Sequence, residues 1–242
     1  MWGVIIRDRR ERNNGLDQPR DFLDVLIANG FTDEQIVILI SELFGAGTES
    51  VSITIEWAMT ELLMNKDAME KLSQELKTQT TTDSIKESDL SKLPYLHACV
   101  KETLRIHAPT PFLIPHRALD TCKVLNYTIP KNSQVLVNVW AIGRDSTVWE
   151  DPLRFKPERF LSSDIDFKGH DFEFLPFGSG RRQCPGLALA SKQVHLILAS
   201  LISSFHWCLP NGEDPSKIDV NESFGVTLQK EQPLLVIPMR KK

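Results

Sequence analysis

The chain has 242 residues, 41% of them hydrophobic and 25% charged, with a formal net charge of −4. That is enough chain to bury one substantial core, and the charge balance gives no electrostatic case for nucleic-acid binding. Cys99, Cys122, Cys184 and Cys208 are widely spaced, which suggests neither a zinc site nor a disulfide framework and fits reduced thiols facing a cytosol.

Met1 to Arg12 is polar and arginine-rich after one short apolar patch, unlike a secretory signal. Arg9 to Arg20 reads as a charged connector and Asp21 to Ala28 as a short helix. Thr32, with Gln35 three residues on, has capping-box spacing and opens a helix to about Met64. That helix is apolar on most faces near its middle, as a buried helix of a large protein is. Its most apolar stretch, Ile36 to Phe44, is interrupted by Glu42 and is too short to span a bilayer. No anchor is therefore expected within this chain. Gly45 and Gly47 sit inside the helix and each costs about 1 kcal/mol relative to alanine. Tight helix packing is the favoured reason; a backbone opened for a ligand is the alternative.

Asp67 to Lys77 reads as a second long helix, followed by a polar loop from Thr78 to Ser84. Leu96 to Ile106 is helical and ends in the proline-studded run Ala108 to Pro115. Strands are expected over Thr121 to Ile129 and Gln134 to Trp140, with a turn at Pro130-Lys131-Asn132. Trp149 to Gly180 is irregular and long enough to suggest a function. An apolar helix covers Leu187 to Phe205, and Val226 to Leu228 with Leu234 to Ile237 form a closing β element. The class is mainly α with small β elements, read as one domain.

The segment Phe177 to Gly186, F-G-S-G-R-R-Q-C-P-G, carries the most chemistry. Its glycines permit a tight left-handed loop. Cys184 stands before an apolar helix, where unpaired N–H groups favour a thiolate. Taken alone, such a loop could also cradle phosphate, pair Cys184 with His195 as nucleophile and base, or hold an inert packed cysteine. Elsewhere, Glu102 and Arg105 share a helix face in K-E-T-L-R, Pro157-Glu158-Arg159-Phe160 adds a further arginine, and Ala46-Gly47-Thr48-Glu49-Ser50 lies in the long helix.

Together these motifs resemble the cytochrome P-450 family. The loop matches its haem-binding segment at Phe177, Gly180, Arg182, Cys184 and Gly186, and the other motifs resemble its E-x-x-R, P-E-R-F and oxygen-binding helix segments. The resemblance covers nearly the whole chain, corresponds to the C-terminal half of the fold, and is nearest to plant microsomal, geraniol-hydroxylase-like members. It implies haem b, with Cys184 as the iron's thiolate ligand favouring O–O cleavage and Phe177 packed beside the sulfur. Arg182 and His116 would meet haem propionates. Glu102, Arg105 and Arg159 would be structural, while Glu49 and Ser50 would guide protons. Ala46, Thr110, Phe112, Phe224 and Val226 would contact a small hydrophobic substrate.

The resemblance further implies a monooxygenase using O2 and electrons from an NADPH-cytochrome reductase, at the cytosolic face of the endoplasmic reticulum membrane. Membrane association would come only through an N-terminal region absent from this chain. A non-catalytic, truncated haem-binding fragment is the alternative, and peroxide rearrangement a third reading against which Glu49 and Ser50 weigh. Two departures stand out. Ser50 and Val51 replace the usual threonines, from which looser coupling of oxygen use to product is expected. Ala108 stands where Pro-Pro is usual, which bears on specificity.

Overall fold

The computed structural model describes residues 2–12, 19–79 and 85–241. They group into two compact units, 1–49 and 50–242, where the sequence reads as one domain.

In the first unit, α1 (Trp2–Arg12), α2 (Phe22–Ala28) and the start of α3 (Asp33–Met64) enclose a small core. Ile6, Leu26, Ile36 and Ile40 are buried there, with Trp2, Leu23 and Phe31 packed around them. Arg9 to Arg12 belongs to α1 rather than to a connector. From there Arg9 reaches Asp21 at 2.6 Å and Asp24 at 2.8 Å, and Arg10 reaches Asp33 at 2.9 Å. The remainder of the expected connector, 13–18, lies outside the described residues. The capping box forms reciprocally, with the Thr32 amide donating to Gln35 Oε1 at 3.0 Å and the Gln35 amide to Thr32 Oγ1 at 3.3 Å. Beside Gly45 and Gly47 an added Cβ would meet nothing within 4 Å among the described residues.

The second unit holds the rest of α3, then α4 (Lys66–Gln79), α5 (Pro94–Ile106) and α7 (Leu187–Ser204) around the main core. Ala68, Leu72 and Leu76 recur every four residues on α4 and bury one stripe. Leu62, Leu96, Leu198 and Ile202 are fully buried with them. Pro94 starts α5 at the position where a missing N–H costs nothing. Glu75 of α4 accepts the next two amides, from Tyr95 at 2.7 Å and Leu96 at 2.9 Å, satisfying donors that helix starts leave open. Most of the expected polar loop, 80–84, lies outside the described residues, while Thr78 and Gln79 extend α4.

Four two-stranded antiparallel ribbons decorate this unit: β1 (His116–Arg117) with β4 (Gln134–Val135), β2 (Cys122–Val124) with β3 (Tyr127–Ile129), β5 (Phe205–Cys208) with β8 (Ile237–Arg240), and β6 (Glu222–Phe224) with β7 (Leu228–Lys230). The stretch Thr121 to Ile129 is thus a hairpin in itself, turning at Leu125 with φ 53°. The strand expected to reach Trp140 stops at Val135. Asn138 accepts the Ala141 amide at 3.0 Å and caps α6 (Val139–Ile142) instead. Phe205 leaves α7 and pairs with Arg240, a non-local choice that local pattern cannot reveal.

By length and composition α3 and α7 could each cross a bilayer, although the apolar run in α3 reads as too short. Only part of each apolar stretch is buried, 22% in α3 and 28% in α7; Ala58, Met59 and Leu62 of α3, and Val194, Leu198 and Ile202 of α7, line the same cluster.

His195 on α7 has a pH consequence. Its Nδ1 lies 2.6 Å from the Ser191 carbonyl, which can only accept, so Nδ1 carries the proton. Nε2 then keeps a lone pair with no partner among the described residues. Burial, aided by the nearby His97, lowers its pKa from 6.5 to about 4. The unfolded chain therefore takes up a proton that the folded chain refuses. Stability should be unaffected by this group above pH 6.5 and fall between there and about 4, by on the order of 3 kcal/mol. Urea midpoints measured across that window should show the decline, and His195→Gln should flatten it.

Candidate functional site

The cysteine loop is a closed turn set against α7. The Cys184 amide donates to the Phe177 carbonyl at 2.9 Å, and the Gln183 amide to Gly180 at 3.1 Å. Gly178 and Gly180 take φ of 69° and 65°, values that residues with a Cβ rarely adopt. Gly186 caps α7, so the thiol stands two residues before the helix's open amides. Cys184 is exposed and free, which removes the reading of it as inert packing. Nothing places His195 beside it as a base, since that ring is buried against Ser191 and His97.

The irregular segment whose length suggests a function holds this loop from behind. Ser179 Oγ donates to the Gly169 carbonyl at 2.6 Å and Gln183 Nε2 to Lys168 at 2.7 Å. Phe177 meets Phe167 edge-on at 5.3 Å. Gly169 has φ 85°, and a Cβ there would stand 2.8 Å from Gln183 Nε2 and 3.0 Å from the Gly178 carbonyl. Both conformation and space demand glycine. Gly169→Ala should cost about 1–3 kcal/mol and loosen the loop, visible as a lowered thermal midpoint and faster amide exchange at Gln183.

Glu102, Arg105 and Arg159 come together in one buried cluster. Arg105 grips Glu102 through two hydrogen bonds, Nε at 2.7 Å and Nη2 at 2.9 Å, and Arg159 Nε adds a third at 2.9 Å. The Lys156 amide donates to the same carboxylate at 2.8 Å. Arg105 also donates to the carbonyls of Gly143 and Pro152. Glu102 is 0% and Arg105 1% exposed. Trp149 lies 5.2 Å from the Arg105 guanidinium and 5.9 Å from that of Arg159.

An apolar rim is built from two segments distant in sequence. Leu113 lies within reach of Gly178 in the cysteine loop. The Leu228 amide donates to Pro109 at 2.9 Å, and the Phe112 and Phe224 rings are 6.4 Å apart. Phe112, Phe224 and Val226 are all exposed, and Thr110 is half-buried. Ala108 is buried with Val139 and Leu175, so its methyl faces the core rather than the rim. His116 and Arg182 are exposed, and their side chains form no hydrogen bond or ion pair among the described residues. Ala46 and Glu49 are exposed in the first unit; Ser50, half-buried, begins the second.

Behind the rim lies a polar cluster that sequence reasoning missed. Glu222 accepts from Trp140 Nε1 at 2.8 Å and from Arg144, and contacts His107 Nδ1 at 3.1 Å. His107 Nε2 reaches Glu61 at 2.8 Å. The only sequence signal was a histidine directly after the helix that carries Glu102 and Arg105.

The donor chemistry fits a haem. A free cysteine sulfur suits iron, Arg182 has a guanidinium to spare for a carboxylate, and exposed rings offer apolar contact.

The family model described as cytochrome P-450 matches residues 3–237. A probable (S)-N-methylcoclaurine 3'-hydroxylase isozyme 2 of Coptis japonica is 55% identical over 98% of this chain and 48% of its own length. Geraniol 8-hydroxylase of Catharanthus roseus is 47% identical over 98% and 50%. A zebra fish cytochrome P-450 structure with progesterone superposes with TM-score 0.83 and 32% identity, covering 99% of this chain and 56% of that one. The chain thus spans about half the length of the curated relatives it matches.

Proposed function

The chain belongs to the cytochrome P-450 family, and on that premise we propose that it forms the cysteine-bearing part of a haem-thiolate monooxygenase. The observation that carries this is the free, exposed Cys184 thiol, held in a closed turn at the start of α7. Haem b, when bound, supplies the activation of dioxygen that inserts one oxygen atom into substrate.

The chain's own residues have distinct tasks in this proposal. Cys184 Sγ ligates the iron, and Phe177 shields it. Arg182 and His116 hold propionates. Glu49 and Ser50 hold and pass a proton, while Ala46, Thr110, Phe112, Phe224 and Val226 orient a small hydrophobic substrate. Electrons come from an NADPH-cytochrome reductase at the cytosolic face of the endoplasmic reticulum. The relatives named for (S)-N-methylcoclaurine and for geraniol support an alkaloid-like or terpenoid substrate.

The haem-loaded, reduced protein should give a thiolate-type carbon-monoxide spectrum; its absence sinks the proposal. The second reading, a non-catalytic haem-binding fragment, draws support from exposed apolar side chains such as Phe44 at 60% and Val226 at 77%. A thiolate spectrum without turnover of geraniol or (S)-N-methylcoclaurine would favour it.

A further inference from the structure

We infer that Glu222 is a positioning residue, whose half-buried carboxylate ties the Phe224–Val226 turn to Trp140 and thereby fixes the apolar wall that an aromatic ligand meets. The identity of that wall as part of a ligand pocket rests on the haem-thiolate reading; the anchor itself does not.

Residues two apart in a strand share a face, so Glu222 and Phe224 of β6 project to the same side. Trp140 is engaged by both. Its Nε1 donates to Glu222 at 2.8 Å, and its ring meets Phe224 edge-on at 5.7 Å. Arg144 forks onto the same carboxylate through both terminal nitrogens and covers the Trp140 ring at 4.1 Å. Burial raises the Glu222 pKa, but hydrogen bonds from His107 and Arg144 outweigh it and hold the group below the ordinary glutamate value.

His107 closes the cluster from the other side. Both of its nitrogens face carboxylate oxygens, of Glu222 at 3.1 Å and of Glu61 at 2.8 Å. Trp57 stacks on His107 at 3.8 Å and donates to the Leu228 carbonyl at 3.1 Å. Both strands flanking the turn are therefore tied to the core, while Phe224 stays 52% exposed. A charged anchor behind an open aromatic surface orients that surface without occupying it.

Two haem ligands test this on the haem-loaded protein. Imidazole is small enough to meet the iron alone; 4-phenylimidazole adds a ring that reaches the wall. Glu222→Gln should weaken 4-phenylimidazole on the order of tenfold, the scale of one charge-assisted hydrogen bond, with imidazole unchanged. Trp140→Phe should act in the same direction, and Glu222→Asp should recover most of the loss. Equal weakening of both probes, or of neither, overturns the inference. If the parent shows no Soret shift with imidazole, the haem reading fails. Amide exchange from Phe224 to Thr227 then decides on the anchor: faster exchange in Glu222→Gln upholds it, and unchanged exchange overturns it.

Discussion

Glu102→Ala should cost about 3–5 kcal/mol of stability, enough to remove the cooperative urea transition from many domains of this size. The expectation follows from what the substitution leaves behind. Arg105 is 1% exposed, and its guanidinium would lose both hydrogen bonds to the carboxylate. The carbonyls of Gly143 and Pro152 remain as acceptors, but they carry no full charge. Arg159 and the Lys156 amide lose the same partner, so the damage spreads from α5 into the segment around Pro157. Glu102→Gln keeps the shape and one set of acceptor lone pairs, and should fall between alanine and the parent. An unfolding free energy from urea titration within 1 kcal/mol of the parent for Glu102→Ala would show that the cluster contributes little.

Cys184→Ala should do the reverse. The thiol is exposed and bonded to nothing among the described residues, so its removal should change stability by less than about 0.5 kcal/mol. The turn is held by the Cys184 backbone amide, which alanine keeps. The thiolate-type carbon-monoxide spectrum should nevertheless vanish, and turnover with it. Stability is measured on the haem-free protein, since bound haem itself stabilises the fold, and the spectrum after haem loading; their divergence is the result of interest. A retained thiolate spectrum would assign the ligand to another residue; a parallel loss of stability would make Cys184 a packing residue.

The longer helices of the second unit and α3 were legible because their signals are local: Thr32 and Gln35 cap α3 within a few residues of themselves, whereas α1 and α6 were not read as helices. The cysteine loop and the Glu102–Arg105 pair were legible for the same reason, since their residues stand in short motifs. What failed was non-local or decided by one competitor. Val135 to Trp140 has the apolar content of a strand, and the Asn138 cap turned its end into α6. β8 pairs with residues at the far end of α7, and no local pattern states that choice. Glu222 and His107 are 115 residues apart and belong to no spacing rule. Gly169 was invisible because its constraint is set by Gln183 and Gly178.

Helix α5 deserves a mechanical description. One carboxylate from α4 grips its first free amides, and at its other end Arg105 is bolted to the carbonyls of Gly143 and Pro152. Charged side chains thus tie the helix to neighbouring segments at both ends, which opposes sliding along its own axis. Its 13 residues make it a strut of about 20 Å. A change at Glu75 would then be felt at the far end of the strut, in the carbonyl seats of Arg105, without any residue there being altered.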